Sequence, residues 1–265
     1  MNSKPNTRLA WADIKDGFFR YNLWSALAWE DVRRRYRRST LGPIWLTIST
    51  GLFILGLGPL YGKLFNQSFS EYLPYIAISY VSWSLISGVI SDACTVFVTE
   101  ESLFKQIKLP YSLFCYSLVT RNFIFYFHNL LIVVIVFLIY PTVINTYSLL
   151  LLLGLLSIAI NALWVSLLLG LACTRYRDIA QIVNSIMQLM LFLTPVMWKI
   201  DMLGNLRWVA LINPFYHFLE IIRAPLFGMP PTKLNFAVVL AFTILGWIGT
   251  LFVFARYRSR IPFWV

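Results

Sequence analysis

One stretch decides the fold, and it reads Arg33-Arg34-Arg35-Tyr36-Arg37-Arg38-Ser39-Thr40-Leu41-Gly42-Pro43-Ile44-Trp45-Leu46. Five arginines stand directly before an apolar run. Arginines stay at the anionic cytoplasmic surface of a membrane, whereas apolar residues enter the hydrocarbon. The stretch therefore predicts a point of membrane entry, with the arginines inside the cell and the residues after Pro43 in the lipid.

The composition is that of an integral membrane protein. The chain has 265 residues, of which 59% are hydrophobic and 12% charged, and its mean hydropathy is +0.71. A soluble domain carries about 25% charged residues. The net charge of +11 comes from basic residues that border apolar spans, so we do not expect nucleic acid binding.

The apolar runs predict an all-α, polytopic membrane protein with six transmembrane helices. These spans cover about residues 44–61, 72–98, 122–140, 148–173, 179–197 and 236–255. Nineteen helical residues extend about 28 Å, which is close to the thickness of the hydrocarbon. Residues 1–40 are expected to form a cytoplasmic amphipathic interface segment, and residues 41–265 the transmembrane domain.

The basic residues predict the orientation of these spans. With six spans and a cytoplasmic start, 17 Lys and Arg residues fall inside and five fall outside. Basic residues favour the cytoplasmic side, so both termini are predicted to be cytoplasmic.

Two connecting segments look structured. Residues 99–112 predict a short cytoplasmic amphipathic helix that is stopped by Pro110, with a plain surface loop as the alternative. Residues 198–235, on the outer side, are too apolar for a solvated loop. The pair Asn213-Pro214 is typical of a helix start, so short re-entrant or interfacial helices are predicted there.

Polar residues follow one face of two predicted spans. The fifth span carries Gln181, Asn184, Ser185 and Gln188 in one stripe, and the second carries Ser84, Ser87, Gly88 and Ser91. Hydrocarbon penalises such groups, so they must face protein or water. Packing seams and a path for a hydrophilic solute are both consistent with these stripes. Trp83 lies too deep for an interfacial belt, and either sugar stacking or core packing would explain it.

The chain offers few groups for catalysis. His128 and His217 are its two histidines, and no paired carboxylates or metal-binding motif accompany them. The segment 58–64 lacks the spacing of a phosphate loop. The three cysteines have unrelated spacings and indicate neither disulfides nor zinc. We therefore expect no metal or cofactor in this chain, and a membrane transferase acting on lipid-linked sugars is the less favoured alternative.

Several motifs nevertheless resemble those of one family. They are Arg35-Tyr36-Arg37-Arg38-Ser39-Thr40-Leu41-Gly42-Pro43-Ile44-Trp45, Phe104-Lys105-Gln106-Ile107-Lys108-Leu109-Pro110, Arg177-Asp178-Ile179, Thr194-Pro195-Val196-Met197-Trp198, and Asn213-Pro214 followed by His217-Phe218, Glu220 and Arg223. These motifs occur in the same order as in that family and cover residues 30–225. They are similar to the motifs of the membrane subunits of bacterial polysaccharide ABC exporters. These type-2 ABC permeases move O-antigen, capsular polysaccharide or teichoic acid.

The resemblance implies partners and a location. It implies a homodimer in the bacterial inner membrane, joined to two copies of a separate ABC ATPase that binds ATP and Mg. The expected cargo is a lipid-linked polysaccharide, with O-antigen as the expected polymer. A type-2 ABC permease for a drug or a lipid is the alternative within this class.

The residues and the resemblance together give four groups of candidate site residues. ATPase coupling is expected of Glu100, Glu101, Phe104, Lys105, Lys108 and Pro110, and interface or lipid headgroup contact of Arg33, Arg34, Arg35, Arg37 and Arg38. Translocation pathway candidates are Trp83, Ser84, Ser87, Gln181, Asn184 and Gln188. Outer gate candidates are Asn213, Phe215, Tyr216, His217, Glu220 and Arg223.

Overall fold

The computed structural model describes residues 6–37, 42 and 44–265, and at positions 104 and 105 it describes the backbone alone. Arg38, the last arginine of the predicted headgroup cluster, lies outside the described residues. Within these ranges the chain is helical and contains no strand, which confirms the all-α prediction.

Thirteen α-helices follow one another in the described chain. They are α1 (Thr7–Phe19), α2 (Tyr21–Tyr36), α3 (Ile44–Leu64), α4 (Phe69–Ala93), α5 (Val96–Thr99), α6 (Glu101–Gln106), α7 (Ser112–Ile139), α8 (Leu150–Arg175), α9 (Asp178–Leu193), α10 (Arg207–Ile212), α11 (Pro214–Leu226), α12 (Lys233–Tyr257) and α13 (Ile261–Trp264). Turns of 3₁₀-helix cover Thr146–Leu149, Ile200–Leu206 and Arg258–Arg260.

Five helical segments in the described ranges are long and apolar enough to cross a membrane. They are Ile44–Leu64, Phe69–Ala93, Ser112–Ile139, Thr146–Arg175 and Lys233–Trp264. They correspond to the predicted first, second, third, fourth and sixth spans. The predicted fifth span is α9, an apolar helix of 16 residues, which is shorter than a usual crossing helix.

α9 runs antiparallel to α4. The later part of α4 shares a groove with α9, through Ser87 and Asn184 among others. Near the start of α4, the hydroxyl of Tyr75 donates to the carbonyl oxygens of Pro195 at 3.1 Å and Trp198 at 2.7 Å. The chain that leaves α9 therefore reaches the opposite end of α4.

The third span begins earlier than predicted. We expected it from residue 122, because Arg121 resembles the charged boundary of a span, but α7 begins at Ser112. Arg121 lies inside the helix because ion pairs at 2.8 Å to Asp31 and Asp92 neutralise it. The second span ends at Ala93, before its predicted end at residue 98, and α5 follows as a separate turn.

The helix predicted over residues 99–110 was wrong in its extent. α5 ends at Thr99, α6 ends at Gln106, and Ile107 is already extended. Pro110 does not stop a helix; its carbonyl oxygen accepts from the amide of Leu113 in the first turn of α7 at 3.2 Å. A proline disfavours helical conformation in the residue before it, so the chain stays non-helical up to α7.

The N-terminal helices are fastened to the ends of the long helices. The carboxylate of Asp13 in α1 accepts from the backbone amides of Ser112 at 3.0 Å and Tyr111 at 3.3 Å. It thereby caps α7 from another part of the chain. Arg258, after α12, pairs with the same carboxylate at 3.5 Å. These contacts hold α1 against α7 and α12.

α4 is the centre of the bundle. Fifteen of its 25 residues are buried, against four of 21 in α3 and five of 25 in α12. α4 packs against α3, α7, α8, α9 and α11. Its position explains why its sequence is apolar on nearly all sides.

α10 and α11 form a helical pair after α9. Asn213 caps α11 by accepting from the amide of Phe215 at 3.0 Å, and Pro214 occupies the first turn, which confirms the predicted helix start. Pro214 shares a cavity with Ile86 of α4 and Asn161 of α8, so α11 begins deep in the bundle. It ends where the carbonyl oxygen of Pro225 accepts from Ser148, before α8.

Candidate functional site

A polar groove lies between α4 and α9. It encloses about 280 Å³ and is lined by Tyr80, Trp83, Ser84, Ser87, Ser91, Asn184, Met187, Gln188 and Leu191. The hydroxyl of Ser84 donates to the carbonyl oxygen of Val81 at 2.7 Å, and that of Ser87 to Trp83 at 2.9 Å. These bonds to the helix backbone let polar side chains line a groove at membrane depth.

The structure brings together five of the six predicted pathway residues. Trp83, Ser84 and Ser87 from α4 meet Asn184 and Gln188 from α9. Gln181 is exposed on α9 one turn earlier. Trp83 is 4% exposed, and its ring meets that of Phe215 edge to face at 5.6 Å. Its contacts therefore include the bundle core as well as the groove.

Two of the outer gate candidates, Glu220 and Arg223, form a buried cluster with residues of α4 and of the segment after α9. Arg223 is 5% exposed and donates to the Tyr75 hydroxyl at 2.6 Å and the Pro195 carbonyl oxygen at 2.7 Å. Its guanidinium also donates twice to Glu220, at 2.5 and 3.1 Å. The cluster joins α4, α11 and the segment after α9, so Arg223 ties these three parts of the chain together.

The remaining outer candidates make internal contacts. Asn213 donates to the hydroxyl of Thr194 at 2.8 Å, and Tyr216 is buried. His217 is fully buried, with Nδ1 2.8 Å from Asn235 and Nε2 2.8 Å from the Leu211 carbonyl oxygen. Both ring nitrogens of His217 are engaged, which does not suit a catalytic base.

The arginine block extends from the end of α2. Arg33 and Arg34 form loose pairs with Glu30 at 3.8 Å and Asp31 at 3.7 Å. Arg33, Arg34, Arg35 and Arg37 are exposed, and the guanidinium of Arg35 lies 4.9 Å from the ring centroid of Phe125 in α7. A concave surface lined by Trp29, Arg33, Arg34 and Arg37 is therefore cationic and open.

The coupling candidates occupy the bend between α5 and α7. Lys108 is exposed and Glu101 half-buried, while Pro110 precedes α7. The side chains of Phe104 and Lys105 lie outside the described residues. Burial raises the pKa of Glu100 above its usual range, and the nearby Asp31 raises it further.

Comparison with known proteins identifies the family. The family model described as "ABC-2 type transporter" matches residues 22–227. This chain belongs to the ABC-2 type transporter family. The matched region includes α2 through α11, and hence the arginine block, the groove and the outer cluster.

A curated relative of this ABC-2 transporter is an export permease. The chain is 22% identical over 247 residues to the O-antigen export system permease protein RfbA of Klebsiella pneumoniae, covering 91% of this chain and 93% of that protein. The family and this relative are transport proteins, and the chain has several helices apolar enough to cross a membrane, so it is a multi-pass membrane protein of the ABC-2 permease type.

Two parts of the transporter were not anticipated from the sequence. One is the cap that Asp13 places on α7, where burial raises the pKa of Asp13. The other is the set of ion pairs around Arg121. An arginine within an apolar run is itself a signal of a buried partner, whereas the predicted third span begins only after Arg121.

Proposed function

We propose that this chain is the membrane-spanning permease subunit of an ATP-driven exporter that moves a lipid-linked polysaccharide, with O-antigen as the expected polymer, across the bacterial inner membrane. The observation that carries the proposal is the match to an O-antigen export permease over 91% of this chain, together with the family match over residues 22–227. The aromatic and amide groups of the groove support it, because sugars bind to such surfaces.

The proposed topology has six crossings, with α9 as the fifth and both termini in the cytoplasm. α9 has 16 residues and spans about 24 Å, yet it lies antiparallel to the crossing helix α4. The bonds from Tyr75 to Pro195 and Trp198 support passage to the outer end of α4. α10 and α11 would then form a re-entrant pair that enters and leaves on the outer side.

The proposed partner is an ABC ATPase that supplies ATP and Mg binding. Residues 99–110 would dock on this ATPase, and α2 with its arginines would border it at the lipid surface. The exposure of Lys108 and of Arg33, Arg34 and Arg37 supports this assignment. Two ATPase copies would serve a homodimer of the permease.

A second copy of the chain would complete the pathway. Met187 is the buried residue of α9, while Gln181, Asn184 and Gln188 are exposed. Exposed amides are unfavourable in lipid, so the proposed homodimer encloses them in a shared polar path.

Deletion of the gene tests the proposal. We expect lipid-linked polysaccharide to accumulate on the cytoplasmic side and to disappear from the cell surface, with recovery when the gene is restored. A deletion strain without a paralogue that retains normal surface polysaccharide would contradict the proposed substrate class. Accumulation of unextended lipid-linked sugars would instead favour the transferase alternative.

A further inference from the structure

One guanidinium joins three helices. Nη1 of Arg121, in α7, donates to Asp31 of α2 at 2.8 Å, and Nη2 donates to Asp92 of α4 at 2.8 Å. The amide of Asn122 donates to the same Asp92 oxygen at 2.9 Å. Arg121 and Asp31 are 21% and 18% exposed, so water screens their pair only partly.

A fourth charged group faces this cluster. Glu100, between α5 and α6, lines a cavity of about 30 Å³ together with Asp31, Asp92 and Arg121. That volume holds two or three water molecules at about 10–15 Å³ each. Among the described residues, Nε of Arg121 is buried and has no hydrogen-bond partner. The side chain that carries this unpaired N–H therefore lines the same cavity as Glu100.

We propose that Arg121 is the positioning residue that transmits movement of segment 99–110 to α4, with Glu100 as the carboxylate that pairs with its Nε when the segment moves. The inference rests on the proposed function, because that function makes segment 99–110 the ATPase contact. Arginine suits the task, since its rigid fork offers separate donors to separate carboxylates.

The consequence for transport follows from the position of α4. Asp92 lies at the end of the helix that carries Trp83, Ser84 and Ser87. A change in the partners of Arg121 therefore acts directly on one wall of the groove. The same guanidinium holds α2, so the interface helix and the groove wall would move together.

Arg121→Lys separates this role from a static structural role. Lysine keeps the positive charge, but its single ammonium does not reproduce the fork that serves two carboxylates and a third acceptor. Glu100→Gln removes the charge proposed to pair with Nε and leaves both existing ion pairs in place. Asp201→Asn is the matched control, because Asp201 and Arg207 also pair at 2.8 Å but in an exposed position.

The experiment uses the permease with its ATPase in proteoliposomes, supplied with lipid-linked glycan extracted from the source strain. ATP hydrolysis and glycan movement are measured together. For Arg121→Lys we expect complex assembly and ATP hydrolysis within about twofold of wild type, and about tenfold less glycan moved per ATP. For Glu100→Gln, which lies in the proposed ATPase contact, we expect the same loss of about tenfold in glycan moved per ATP in the complex that assembles. The double variant should be no worse than Arg121→Lys alone, and the control should match wild type.

Three outcomes overturn the inference. In the first, glycan moved per ATP is unchanged in both variants. In the second, the ratio falls only in proportion to lost assembly or thermal stability, which indicates a structural ion pair. In the third, wild-type complex hydrolyses ATP without moving glycan; this contradicts the proposed function itself, and the inference fails with it.

Discussion

Arg223 stabilises the fold because its buried guanidinium neutralises a carboxylate and bonds to residues of other elements. Its guanidinium pairs with Glu220 and donates to Tyr75, Ser79 and the Pro195 carbonyl oxygen. Arg223→Ala would leave the Glu220 carboxylate partly buried without its cation. We expect a loss of about 3–5 kcal/mol in the free energy of unfolding, measured by denaturant unfolding in micelles.

The exposed pair between Arg207 and Asp201 provides the control for Arg223. Its 2.8 Å distance is similar, but the two side chains are 55% and 76% exposed. We expect Arg207→Ala to cost about 0–1 kcal/mol. Equal losses in the two variants would contradict the assignment of Arg223 as a buried tie.

The sequence identifies candidate charged residues of the outer segment, but it does not identify the residues that they contact. The resemblance makes Glu220 and Arg223 outer gate candidates, and in the structure the two residues form an ion pair. The link from Arg223 to Tyr75 joins residues 148 positions apart, and no local pattern encodes it. The sequence places Asp13 only within an amphipathic interface segment, and its role as a cap depends on the packing of α1 on α7.

α9 carries the polar stripe that motivated the pathway prediction. We expect the double variant Gln181→Leu with Asn184→Leu to reduce export several-fold in cells while the amount of folded protein stays close to wild type. The reason is that both amides are exposed on the helix and would line water. Ile186→Leu, at an exposed apolar position of α9, is the control. Unchanged export from a dimer that dissociates would identify the stripe as a packing seam.

α8 and α11 approach each other closely at Gly154. A Cβ atom at this position would lie 2.6 Å from the carbonyl oxygen of Ile221. We expect Gly154→Ala to displace α11 and to cost about 1–3 kcal/mol of unfolding free energy in the same denaturant assay.

Gly56→Ala is the matched control for Gly154→Ala. No atom lies within 4 Å of a Cβ built at Gly56, so alanine should be neutral or up to about 1 kcal/mol stabilising. Similar stability of the two variants would show that α11 tolerates displacement and would contradict the close packing.

The helices that consist of a long apolar run were predictable from the sequence. α3, α4, α7, α8 and α12 follow from hydropathy, whereas the start of α7 did not, because Arg121 is neutralised by distant residues. A break at Pro110 was predicted, but the helix before it ends already at Gln106 and α7 begins already at Ser112. A proline marks a boundary in the sequence without saying whether a helix ends before it or begins after it.

At the scale of the whole molecule, charge predicts the orientation. With 17 basic residues inside and five outside, a reporter fused after Tyr176 should lie in the cytoplasm and one fused after Asn205 outside it. Alkaline phosphatase fused at Asn205 should therefore be active, and the fusion at Tyr176 inactive. Activity at neither position would mean that α9 does not cross.

Few residues of α3 and α9 are buried within this chain, so most of the surface of both helices is left to lipid or to another protein in the membrane. In α3 the buried residues are Thr50, Ile54, Gly58 and Gly62. Lipid covers exposed apolar side chains without cost, but not the amides of α9. The proposed homodimer would cover these amides.

Transport by the purified complex tests the central claim most directly. The permease and its ATPase are placed in proteoliposomes that carry lipid-linked O-antigen glycan, and glycan on the opposite face is measured with a membrane-impermeant lectin. We predict movement that requires both proteins and ATP, and that is lost when the ATPase cannot hydrolyse ATP. Movement at the same rate without ATP, or none from an intact complex that hydrolyses ATP, would contradict the account.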